Sequence, residues 1–153
     1  MTVSTVCTRL VVTAHPEDTV QAVAKRMAQY DVGSLIVVEA NTPVGIITDR
    51  DLVVRVMAQD QTSPALAVRA VMTGHPVCVS EHMALEEAIA LMRGYQIRRL
   101  VLVNDAKKLV GLLSLDDLLL RLGEEQHAVA GLMRVARHRR AECSGTPPER
   151  RPS

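Results

Sequence analysis

The chain is written twice, and an internal duplication restricts the fold more than any single motif does. A shift of 65 residues lays Val20 on Leu85, Val23 on Ala88, Met27 on Met92, Tyr30 on Tyr95, Val32 on Ile97 and Leu35 on Leu100. One inserted residue raises the shift to 66. Gly45 then meets Gly111, Ile46 Leu112, Ile47 Leu113, Thr48 Ser114, Asp51 Asp117, Leu52 Leu118 and Arg55 Arg121. Two copies of about sixty residues therefore share one architecture.

Each copy opens on a short apolar piece, 10–13 or 77–79, that leads through a polar turn to a helix over 19–29 or 84–95. Within those helices Val20, Val23, Ala24 and Met27, and Leu85, Ala88, Ile89 and Met92, recur near helical spacing. The apolar runs 35–38 and 100–103 lack alternation, which suits strands covered on both faces. Polar turns at 39–43 and 104–108 precede third strands at 44–47 and 109–113, and second helices start at Arg50 and Asp116. The order β-α-β-β-α, twice, predicts an α/β fold of two such repeats packed with pseudo-twofold symmetry. The first repeat spans 6–59, a linker 60–65 and the second repeat 66–125, with a short helix over 65–72. The C-terminal extension, 126–153, reads as helical over 126–139 and disordered from about 141, where apolar period is lost. Its basic residues Arg134, Arg137, His138, Arg139, Arg140, Arg150 and Arg151 read as a solvated tail, with an anionic partner as the alternative.

With no Trp, no Phe and two Tyr, aliphatic residues and Met must fill the core. A net charge of +1 gives no pull toward nucleic acid or membrane. No stretch approaches the roughly 20 apolar residues of a membrane helix, and the polar N-terminus has no signal-peptide pattern. Cys7, Cys78 and Cys143 are odd in number and widely spaced, which argues against a disulfide framework or thiolate zinc site and for a reducing, cytoplasmic home. Cys78, between Val77 and Val79, reads as a buried strand residue.

The sharpest local feature is a strand-to-helix corner that occurs twice, Gly45-Ile46-Ile47-Thr48-Asp49-Arg50-Asp51 and Gly111-Leu112-Leu113-Ser114-Leu115-Asp116-Asp117. A hydroxyl residue ends the strand, and a carboxylate follows three positions on. That spacing is a helix capping box. The same geometry also suits a nucleoside phosphate. Helix-start amides and the hydroxyl favour phosphate, the acceptor-only carboxylate takes both ribose hydroxyls, and apolar strand edges hold a flat base.

The duplicated unit with Gly-h-h-Thr-x-x-Asp (h apolar) resembles the CBS domain, and the tandem pair resembles a Bateman module, over residues 6–122. The resemblance implies regulatory binding of AMP, ADP, ATP, S-adenosylmethionine or a related adenosyl compound in two clefts that each mix the copies. It places Ser114 and Asp117 at the phosphate and ribose of the first cleft, with Val12 and Val32 lining the base. Arg98 and Arg99 match basic positions that reach phosphate in the γ subunit of AMP-activated protein kinase. In the second cleft it places Thr48 and Asp51, with Val77 and Ile97 against the base. There Gly33 and Ser34 replace the basic pair and Arg50 alone offers charge, so the first cleft is expected to bind nucleotide better. Asp116 departs from the pattern, a carboxylate where phosphate would lie.

Nothing reads as catalytic or as a metal site. His15, His75, His82, His127 and His138 form no metal-ligand spacing, and no nucleophile elbow, P-loop or Rossmann glycine pattern is present. The expectation is a non-enzymatic adenine-nucleotide sensor, with no obligatory cofactor, acting in trans on an unknown target protein. The alternatives are a dimerising scaffold with weak or no ligand binding, or a sensor of S-adenosylmethionine or NAD. The segments 52–57 and 115–122 are apolar around most of their circumference, which predicts a homodimer through the second helices.

Overall fold

In the computed structural model, residues 1–61 and 63–124 are described. The tail lies outside them, with Cys143, His127, His138 and the basic run. The chain parts into two compact units between Leu115 and Asp116, and both sheets lie in the first.

The first repeat runs β1 (Thr13–Ala14), α1 (Val20–Tyr30), β2 (Ser34–Glu39), β3 (Thr42–Thr48) and α2 (Asp49–Asp51). The second runs β5 (Cys78–Ser80), α3 (Leu85–Tyr95), β6 (Arg99–Val103), β7 (Leu109–Ser114) and α4 (Leu115–Glu124), with β4 (Thr73–Gly74) between the repeats. Thr48↔Ser34 and Ser114↔Arg99 close matching antiparallel ladders, while β1 and β5 join β2 and β6 in parallel. Even the irregularities are copied. Each ladder shifts register at one matched place, Val37/Val38 and Leu102/Val103. Each first helix ends at a left-handed residue, Asp31 (φ 52°) or Gln96 (φ 53°). The inserted residue falls in the hairpins. The first is a tight turn with both Ala40 and Asn41 at positive φ, and the second is longer, with Lys107 alone there.

Burial follows the sequence pattern. Leu35, Ile36 and Val37 in β2, and Leu100 to Val103 in β6, are consecutively buried, as strands covered on both faces require. Val20, Val23 and Met27 bury one stripe of α1, and Leu85, Ala88 and Met92 one stripe of α3. Ala24 and Ile89 do not join these stripes, and Ile89 is 41% exposed. Thr19 caps α1 by accepting the Ala22 amide at 3.1 Å; Ala84 has no side chain with which to do the same.

The segments that precede each repeat are exchanged. Val68 and Val71 belong to the buried cluster of the first repeat, with Ala14, Val23, Leu35 and Ile47. Beyond them β4 pairs with β3. In the same manner the N-terminal segment joins the second repeat. The Val3 amide donates to Met83 O at 2.9 Å, and Thr8 bridges Leu112 of β7. Full burial of Val3 or Val68 stabilises by roughly 1.5–3 kcal/mol, so each repeat depends on residues lent across the chain.

Four expectations need correction. The 65–72 helix is only a 3₁₀ turn, Val68–Ala70, because its two valines must reach the first core before the chain extends into β4. The 10–13 piece enters the sheet only at Thr13, and Leu10 is exposed. After α2 the backbone widens to a π-helical stretch, Leu52–Val56, and a 3₁₀ turn, Met57–Gln59, whereas α4 is a continuous α-helix. Cys78 is exposed, because strand alternation turns Val79 inward and leaves its neighbours outward.

Candidate functional site

At the first corner β3 ends in extended backbone at Thr48, which caps α2. Thr48 Oγ1 accepts the Asp51 amide at 3.1 Å. Asp51 Oδ2 in turn accepts from the Thr48 amide at 2.9 Å and from the Thr48 hydroxyl at 3.0 Å. Arg55 Nε stands 3.5 Å from Asp51 Oδ1, and another Arg55 nitrogen donates to Val71 O at 2.9 Å. The Asp51 side chain is 15% exposed. This is a closed capping box, with its carboxylate engaged on both oxygens. Arg50 is exposed, and its amide donates to Asp49 Oδ1 at 2.8 Å.

The second corner has the same backbone. The Leu115 amide donates to Arg98 O at 2.8 Å, as the Asp49 amide does to Gly33 O at 3.0 Å. The ladder sets Arg99 directly opposite Ser114, so one of the two arginines is a cross-strand neighbour of the corner hydroxyl. Arg98 is exposed and Arg99 half-buried. Asp116 and Asp117 lie in the first turn of α4, where carboxylates suit the helix dipole.

The four base-lining candidates are all half-buried, and their backbones match in pairs. Val12 O accepts from Ile36 N at 3.3 Å, and Val77 O from Val101 N at 3.0 Å. The Val32 and Ile97 amides return to Met27 O and Met92 O at 3.1 and 3.0 Å. Val12 and Val32 meet on the wall of one open cavity of about 750 Å³. That wall also carries Arg9, Arg26 and Tyr30, none of which the motif pattern singles out. Their clue lay in position: Tyr30 is two residues before Val32 and Arg9 three before Val12. The structure thus joins Thr48 with Asp51, Arg99 with Ser114 and Val12 with Val32. The arginines on the cavity wall are Arg9 and Arg26 rather than Arg98 and Arg99.

Both cavity arginines are held by carboxylates. Arg9 reaches Glu81 at 3.1 Å; Arg26 reaches Asp18 at 2.6 Å and Thr13 O at 3.1 Å. Burial alone would raise the Asp18 carboxyl, but the His15 amide and the Arg26 guanidinium outweigh it and hold the group below its usual value. The Cys78 thiol is pushed up by partial burial, against the pull of Lys107. Among the described residues no three His, Cys, Asp or Glu side chains cluster as a metal would require, and no helix is long and apolar enough to cross a membrane.

The CBS domain pattern matches residues 3–58 and again 68–124. The CBS domain-containing protein YhcV of Bacillus subtilis is 36% identical over 129 residues, covering 84% of this chain and 91% of that protein. An uncharacterized protein of Methanopyrus kandleri is 37% identical over 78% of this chain, which spans 61% of that protein's length. The inosine-5'-monophosphate dehydrogenase of Methanocaldococcus jannaschii is 38% identical over 72% of this chain, and the match occupies 21% of that enzyme. Among solved structures, a CBS domain protein of Pyrobaculum aerophilum complexed with AMP has a TM-score of 0.70 at 27% identity, covering 77% of this chain and 90% of that one. A protein with CBS domains from Burkholderia ambifaria also has a TM-score of 0.70, at 32% identity, covering 77% and 86%. With both copies matched and a relative of similar length aligned nearly end to end, this chain belongs to the CBS domain family, as a tandem pair of CBS domains.

Proposed function

We propose that this chain is a non-catalytic regulatory module that binds an adenine nucleotide (AMP, ADP or ATP) and acts in trans on a partner protein in the cytoplasm. The observation that carries this reading is the open cavity at Val12 and Val32. Its volume of about 750 Å³ falls in the range of small-molecule sites, and its wall combines aliphatic surface with the guanidinium groups of Arg9 and Arg26. The AMP complex of the Pyrobaculum aerophilum protein supports the ligand class. The match to 21% of an inosine-5'-monophosphate dehydrogenase supports a regulatory role, since there the matching segment shares a chain with an enzyme. The family resemblance assigns phosphate and ribose to Ser114 and Asp117 and charge to Arg98 and Arg99, none of which is among the residues lining that cavity. The second cleft, with Thr48, Asp51, Arg50, Val77 and Ile97, binds more weakly. Exposed Val53, Val54 and Met57 support a homodimer through the second helices.

The closed capping box favours a second reading, a dimerising interaction scaffold with weak or no ligand binding, in which Asp51 serves only the helix start. Thermal shift against AMP, ADP, ATP, S-adenosylmethionine and NAD separates the two. A ligand at 100 times its dissociation constant adds about 2.7 kcal/mol. A rise with an adenine nucleotide, lost in Arg99→Ala, is the expected result. No response to any of the five would overturn the sensor, and an unchanged AMP affinity in Arg99→Ala would overturn the first-cleft assignment.

A further inference from the structure

With no Phe or Trp, Tyr30 and Tyr95 are the chain's only benzenoid side chains, and the core uses neither. They are 54% and 63% exposed, at matching ends of α1 and α3. Packing therefore leaves both rings unexplained, since aliphatic residues close both cores. A large ring half in water is commonest where an apolar body meets something outside the fold. For Tyr30 the structure shows what it borders. The residue lines the 750 Å³ cavity together with Val12 and Val32. The left-handed turn at Asp31 sends the Val32 amide back to Met27 O, so Tyr30 and Val32 bracket one turn of backbone on that wall.

The remaining polar wall favours a flat, electron-rich guest. Arg9 and Arg26 line the cavity and reach Glu81 and Asp18. Guanidinium groups attract π-faces, and a phenol ring stacks on a heteroaromatic ring of any substitution. We infer that Tyr30 is a ligand-contacting residue, its ring lying against the base of the ligand held between Val12 and Val32. This rests on the adenosyl reading above and adds a contact that the corner motif does not contain.

The test uses AMP as the probe. In Tyr95→Phe protein Tyr30 is the sole tyrosine, so its emission reports on that cavity alone. The emission should fall saturably, with the midpoint that calorimetry gives for AMP. Tyr30→Leu, which keeps apolar bulk but removes the π-face, should weaken AMP by about tenfold. Tyr30→Phe should bind as the parent does, and the thermal midpoints of all three ligand-free variants should stay with the parent. Unaltered AMP affinity in Tyr30→Leu, or unaltered Tyr30 emission at saturation, overturns the inference while leaving the adenosyl reading intact. Failure of the parent itself to bind AMP, ADP, ATP, S-adenosylmethionine or NAD overturns both.

Discussion

Asp18 shows how a single carboxylate ties the stability of the fold to the state of the cavity. Its Oδ2 accepts from the His15 amide at 2.9 Å and from Arg26 at 2.6 Å, and Arg26 is a wall residue. Because its native pKa is depressed, the stability it contributes is fully present above the ordinary value of 3.8 and is lost as pH falls through the lower native value. Acid unfolding followed by circular dichroism should therefore show a steeper limb below about pH 4 in the parent than in Asp18→Asn. Both members are partly exposed, so added salt should narrow the difference. Equal limbs would mean that the pair contributes nothing. The same change should loosen Arg26, which also holds Thr13 O. Of the candidate residues, those at the two corners were legible because capping and ligand recognition ask for the same Thr or Ser and Asp. Arg9, Arg26 and Tyr30 were not. They reach one wall from a loop and a helix, and no spacing in one dimension reports that.

At the level of elements, the helices α1 and α3 and the strands β2 and β6 were readable because local period and burial agree in them. The pieces that escaped are those whose shape is set from elsewhere in the chain. Residues 68–74 carry two valines and a methionine at near-helical spacing, yet the first repeat draws the valines inward and β3 takes the next residues as a fourth strand. That docking also explains the glycine in each corner motif. A Cβ on Gly45 would stand 2.4 Å from Met72 Sδ, and one on Gly111 2.9 Å from Cys7 Sγ and 3.3 Å from Thr8 O. The motif glycine is therefore a seat for the exchanged segment. Gly45→Ala should destabilise by about 1–3 kcal/mol, as overpacking does. Met72→Ala should relieve most of that cost in the double variant, because the three nearest atoms all belong to the Met72 side chain. Urea unfolding of the four proteins of the cycle measures this, and simple additivity would refute it.

On the scale of the whole molecule, the two copies differ most in the segment just after the corner. Val53, Val54 and Met57 are exposed on the π-helical stretch and the turn beyond it, and a π-helical insertion is a frequent mark of a functional surface. The proposed homodimer would cover them, so light scattering at micromolar concentration should give twice 16.7 kDa, and Val54→Asp with Met57→Glu should halve it. A parent that scatters as a monomer would remove this part of the proposal. Repeat boundaries cannot serve as cut sites, whatever the oligomer. The opening residues, Val3 to Thr8, stand against Met83 and Leu112, so trimming the beginning of the chain would loosen its later half, and cutting after residue 59 would strip the earlier half of Val68 and Val71. Such mutual borrowing has a corollary. A single copy of this unit taken alone would need the same segment from a neighbour to complete its interior, a loan that the tandem pair makes within one chain.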